Sequence, residues 1–135
     1  ARVSLAYESP VRGIATSGWR GRSLSLGIAD AVTVLAGSAA IADAAATLIA
    51  NDVNVDYPGI LKRPASEVKD ESDLGMLPVT VDVPPLPVDQ ISEALKRGAQ
   101  TAGNFIRTGK IEAAYLSLQK QTLVVENNLK KESNE

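Results

Sequence analysis

Residues 31–51 read Ala-Val-Thr-Val-Leu-Ala-Gly-Ser-Ala-Ala-Ile-Ala-Asp-Ala-Ala-Ala-Thr-Leu-Ile-Ala-Asn. The first six are rich in β-branched residues and alternate, which predicts a strand over Ala31 to Ala36. Gly37 then breaks the pattern and Ser38 is a good N-cap, so a helix is expected from Ala39 to about Asn51. Between Ala39 and Ala50 its only charge is Asp43. A helix apolar all round is expected to be buried.

Outward from this unit the chain alternates between short strand and helix signals. Residues 2–7 and Ile14 to Ser17 read as strands, and Ser23 to Leu26 resumes the alternation. Residues 52–78 show no clear period and, with Pro58-Gly59 and Pro64, are expected to form a long loop. Val79 to Val83 is another strand, and Pro84-Pro85-Leu86-Pro87 a stiff connector. Asp89 is placed as the cap of a second helix, whose apolar face is Ile91, Leu95, Ala99, Ala102 and Ile106. Glu93 and Arg97 form an i,i+4 pair away from that face. Gly109 is placed just past its end. Ile111 to Gln119 and Thr122 to Glu126 read as strands about a Lys120-Gln121 turn. The expected class is α+β: one domain over residues 1–126 with two main helices on a mixed sheet, then a polar tail, 127–135.

Composition narrows the chemistry. The chain has 135 residues, enough for one core, and 44% of them are apolar while only 4% are aromatic. Thin side chains must therefore fill the core. A formal charge of −2 gives no basic excess for nucleic acid. With neither cysteine nor histidine, thiolate chemistry, disulfides and imidazole bases are excluded, and a bound metal would be a hard ion held by oxygen. Residues 24–51 carry Asp30, Asp43 and a Gly-Ser break, so no membrane span is expected. Residues 1–17 lack the apolar run of a signal peptide, and a cytoplasmic location is the expectation. Ala1 in place of Met fits a piece of a longer protein.

Three places could carry function. Asp43 and Thr47 lie four apart, about 40° apart on one helical face, inside a stripe of alanine methyls. A carboxylate buried there needs a partner. An arginine (Arg20 or Arg22), a set of backbone amides, or a metal with Thr47 as second ligand would each serve; the remaining reading is a surface aspartate. The turn Thr16-Ser17-Gly18-Trp19-Arg20-Gly21-Arg22 combines hydroxyls, glycines and two arginine forks. It suits a pyrophosphate cradle and equally a hairpin turn with solvated arginines. Glu67, Asp70, Glu71 and Asp73 form either a cation-gathering or a solvated acidic loop, without EF-hand spacing. Trp19, Tyr7, Tyr57 and Tyr115 read as core or rim residues.

Taken in order, Thr16-Ser17-Gly18, Val32-Thr33-Val34 and Ala42-Asp43-Ala44-Ala45-Ala46-Thr47 resemble the ApbE superfamily, with its Thr-Ser-Gly turn, Val-Thr-Val strand and Ala-Asp-x3-Thr helix. Ser17-Gly18-Trp19-Arg20-Gly21-Arg22-Ser23, Leu26-Gly27-Ile28-Ala29-Asp30, Arg63-Pro64-Ala65 and Ser72-Asp73-Leu74-Gly75 are similar to the short ApbE-like proteins of archaea and bacteria. The resemblance implies a T-fold-like α+β domain related to magnesium-dependent FAD:protein FMN transferases. It implies that Asp43 and Thr47 hold magnesium, while Thr16, Ser17, Gly18, Arg20, Gly21 and Arg22 would meet the phosphates of FAD or a related ligand. Two departures argue against FMN transfer itself. The His-x-x-Asp-Pro segment is replaced by Ser25-Leu26-Gly27-Ile28-Ala29-Asp30, and the N-terminal half that completes the transferase pocket is missing. The expected partner is that N-terminal segment or a second copy of the chain. The alternative is a non-catalytic structural or binding subunit.

Overall fold

The computed structural model describes residues 11–21, 24–69 and 74–126. Strands β1 (Gly13–Ser17), β2 (Ala31–Ala36), β5 (Ile111–Leu118) and β6 (Gln121–Glu126) form one sheet in the order β1-β2-β5-β6. Every pairing in it is antiparallel, so the expected mixed sheet is corrected to an antiparallel one. Helices α1 (Ala39–Asp52) and α3 (Val88–Arg107) pack side by side on one face, α1 over β1 and β2, α3 over β5 and β6. The architecture is α+β as expected. No described helix is long and apolar enough to cross a membrane.

Alternation in β2 builds this layer. Val32, Val34 and Ala36 are fully buried under the helices, while Ala31, Thr33 and Leu35 face the other way and are half-buried. Ser38 caps α1 as expected, its hydroxyl accepting from the Ile41 N–H. The expectation of an all-round buried helix is overturned. Ala42, Ala45, Ala46, Ile49 and Ala50 are buried, but Ala39, Ala40, Asp43 and Ala44 are exposed, as are Ile41 (46%) and Leu48 (51%). Alanine explains the difference. It counts as apolar, yet one methyl gains little by burial, so an alanine-rich helix tolerates solvent on one side.

Helix α3 follows its predicted face, with Ile91, Leu95 and Ala102 buried and joined by Ala94 and Gly98. Its start is corrected: Pro87 is the cap residue and makes no side-chain bond, while Asp89 sits in the first turn. There it faces the positive end of the helix dipole. The other end closes as predicted. Gly109 has φ +76°, its N–H donates to Ile106, and the Lys110 N–H donates to Phe105, the paired bonds of a Schellman cap. Gly98 lets α3 press close on the residue that ends α1 and on β5. A Cβ built there would lie 2.3 Å from Val53 Cγ2 and 2.8 Å from Leu116 Cδ2.

The expected long loop contains structure of its own. Strand β3 (Leu61–Pro64) pairs antiparallel with β4 (Pro78–Asp82), and a single helical turn α2 (Ala65–Val68) lies between them. Strand β4 is the strand read at Val79 to Val83, while β3, short and half-exposed, carries too few apolar residues to show a period. Residues 24–28 form no strand but a loop on the end of α1, where the Leu26 N–H donates to Asn51 Oδ1 and the Ile28 N–H to the Val53 carbonyl. Buried Thr80 ties the small sheet to this loop, its hydroxyl donating to the Gly27 carbonyl (2.6 Å) and its N–H to Ser25. The β5–β6 hairpin turns at Gln119-Lys120, one residue earlier than read, with positive φ at both (44° and 72°). The predicted strand over 2–7 and the tail 127–135 lie outside the described residues.

Candidate functional site

The Ser17–Gly21 turn leaves the end of β1 beside the start of β2. Gly18 is needed because the chain here presses on its own backbone: a Cβ would lie 2.4 Å from the Asp30 carbonyl oxygen. The Trp19 N–H donates to Ala29 and the Gly21 N–H to Gly18, at 3.1 and 3.4 Å. Arg20 lies 5.0 Å over the Trp19 ring, and its Nε is 3.4 Å from Asp30 Oδ1. With Arg20 65% exposed and Asp30 27%, the pair contributes about 1 kcal/mol or less. Thr16 turns to the other sheet face and shares a 2.9 Å hydrogen bond with the Thr33 hydroxyl. Two buried groups are left over: among the described residues the Ser17 hydroxyl and the Trp19 indole N–H find no hydrogen-bond partner. Arg22 lies outside the described residues.

Asp43 stands on the exposed side of α1, not in the buried stripe that its alanine neighbours predict. It forms no ion pair with a described residue, and Arg20 is taken by Asp30. Half-buried Thr47 donates its hydroxyl proton to the Asp43 carbonyl at 3.0 Å, a back-bond within the helix. Its oxygen lone pairs stay available, so Asp43 and Thr47 offer two hard donors on one face. Among the described residues no three carboxylates gather to hold a metal. Among the described residues no hydrogen bond or ion pair joins Asp43 or Thr47 to the turn. Glu67 is exposed, and Asp70, Glu71 and Asp73 lie outside the described residues. Trp19 and Tyr57 pack half-buried against the core, as read, and Tyr115 is half-buried on the sheet face away from the helices. Tyr7 is outside the described residues.

Several organising residues carry no sequence signal, because their partners are remote. Asp30 holds Arg20 with one oxygen and accepts the Gln119 N–H with the other, at 2.8 Å. Gln119 also donates through its amide to Pro84 and accepts from the Leu86 N–H. A second polar centre lies at the far end of α1, in a cleft of about 310 Å³ lined by Asn54, Val55, Asp56, Ile60, Lys62 and Arg97. Lys62 Nζ donates to the Leu26 carbonyl (2.6 Å) and reaches Asn54 Oδ1 at 3.5 Å. Burial pushes its pKa below the ordinary lysine value, with Asp56 pulling the other way. Arg97 bonds Glu93 through Nε (3.0 Å), the predicted i,i+4 pair, and the Asn54 carbonyl through a terminal nitrogen (3.2 Å).

The fold and the turn thus define an α+β protein with two helices on one face of an antiparallel sheet. The chain belongs to the family described as AbpE bacteria, which it matches over residues 1–126. No curated protein and no solved structure matches it.

Proposed function

We propose that this protein binds a phosphate-bearing ligand of the flavin-nucleotide class at the Ser17–Arg20 turn, with magnesium carried by Asp43 and Thr47. The observation that supports this best is the pair of buried, unpartnered donors, Ser17 Oγ and Trp19 Nε1, within three residues of chain. A buried donor left unpaired costs about 1–3 kcal/mol, and an acceptor oxygen of a ligand would relieve that cost. The resemblance of the turn, strand and helix to the ApbE superfamily points the same way. The donor set fits the metal: Asp43 pairs with no described residue and Thr47 keeps its lone pairs, both hard oxygens. Asp43 and Thr47 would hold magnesium there, and it would supply positive charge to offset that of the phosphates. FMN transfer is not part of the proposal, because the His-x-x-Asp-Pro segment is replaced.

Calorimetry of the full-length protein with FAD, with and without magnesium, tests this. FAD should bind, and magnesium should tighten it. Ser17→Ala should weaken binding about tenfold, the loss of one hydrogen bond, and Asp43→Ala should remove the magnesium dependence. No heat with FAD under either condition refutes the ligand, and an unchanged magnesium effect in Asp43→Ala refutes the metal pair.

A second reading is a non-catalytic subunit that docks on an N-terminal segment or on a second copy. The exposed Ile41 and Leu48 on α1 favour it. Light scattering of wild type and Leu48→Lys distinguishes it: a monomer in both refutes association of copies.

A further inference from the structure

We propose that the cleft between the end of α1, strand β3 and helix α3 is a binding site for a small phosphate monoester, held between Lys62 and Arg97. Asn54 sets the two cations against each other. Its side-chain oxygen faces Lys62 and its backbone carbonyl holds Arg97, so one residue fixes their spacing. Neither cation is used up. Lys62 has a third proton beyond the Leu26 and Asn54 contacts, and the second terminal nitrogen of Arg97 bonds no described residue. Among the described residues Asp56 is the only carboxylate lining the cleft, and Glu93 grips Arg97 without lining it.

The half-buried Lys62 ammonium loses solvation that Asp56 does not make good, as its lowered pKa indicates. An arriving anion supplies what is lacking. An arginine fork and a lysine point charge together suit a phosphate oxygen set. The volume, about 310 Å³, lies near the lower bound of about 300 Å³ for small-ligand sites and exceeds what a bare phosphate fills. Val55 and Ile60 give the remainder an apolar wall. The site shares no residue with the Ser17 turn or with Asp43, so it stands whether or not flavin binds.

The test follows backbone amides of Asn54, Val55 and Arg97 by NMR in the full chain, at constant ionic strength, while inorganic phosphate or glycerol 3-phosphate is added. Both should give saturable shifts there, with the monoester several-fold tighter. Lys62→Gln and Arg97→Gln should each weaken binding at least tenfold, Asp56→Asn should tighten it about threefold, and Ser17→Ala should leave it unchanged. Arg97 is half-exposed, so its variant keeps the test valid if Lys62→Gln fails to fold. Shifts that never saturate, or that survive Arg97→Gln, overturn the site. Equal binding of the two probes overturns the organic moiety, and loss in Ser17→Ala overturns its independence.

Discussion

Replacing Gly98 with alanine should destabilise the protein even though alanine is the better helix former. Ordinary carbon contacts lie at about 3.5–4.0 Å. The new methyl would start 2.3 Å from Val53 Cγ2 and 2.8 Å from Leu116 Cδ2. Val53 and Leu116 are both fully buried. The leucine methyl ends a flexible chain and can swing aside. Val53 is β-branched and has little rotamer freedom, so the helices must part. Overpacking of this kind costs about 1–3 kcal/mol, and two blocked directions place it near the top. Helix propensity returns about 1 kcal/mol. The net loss is about 2 kcal/mol, which moves a urea midpoint down by about 1 M at an m-value near 2 kcal/mol/M. Val53→Ala alone also destabilises, by about 2 kcal/mol from lost methyls and the space they leave. It also removes the clash, so the double variant should be at least about 1 kcal/mol more stable than additivity allows. Arg97 and Asn54 adjoin this contact, so Gly98→Ala should weaken phosphate binding too. A Gly98→Ala protein as stable as wild type, or strict additivity with Val53→Ala, refutes the reasoning.

Other outcomes follow from single contacts. Because burial lowers the Lys62 pKa, the unfolded chain holds more protons than the folded one between that lowered value and 10.5. Lys62 therefore contributes a rise in stability with pH across that window, and Lys62→Met should flatten the rise seen by chemical denaturation in wild type. Ser38→Ala removes the hydroxyl that accepts from Ile41 and should cost about 1 kcal/mol in the same assay; no loss would mean the cap does not stabilise α1. Gln119→Ala removes the amide bonds to Pro84 and Leu86 and should cost about 1–3 kcal/mol, with faster exchange of the Leu86 amide proton; unchanged exchange would show the bond is not made in solution.

What was legible in the sequence was local. Ser38 three residues before Ile41, Gly109 after Arg107, and Glu93 four before Arg97 each act within one helical turn, where spacing alone fixes geometry. Strands β1, β2, β4, β5 and β6 declared themselves through alternation or β-branched content, and α3 through its apolar stripe. Alanine blurred the burial of α1, since it marks no side of a helix. Strand β3 has too few apolar positions to show a period, although its partner β4 was readable at Val79 to Val83. The candidate site divides along the same line. The hydroxyls, glycine and tryptophan of the turn are contiguous and were readable, but Asp30 and Gln119 work together from 89 positions apart. Lys62 meets Leu26 across 36 positions, and no spacing rule reaches that far.

The connector Pro84–Pro87 has a mechanical consequence. Three of its four residues are proline, with fixed φ and no N–H, and the one remaining donor, on Leu86, is held by Gln119. It is therefore a strut between the small sheet and α3. Lys62 sits on one side of that strut and Arg97 on the other, so the jaws of the cleft are braced at a set gape. A ligand of the right width would enter without bending the frame, and one too wide would have to strain a rod that has almost no hinge.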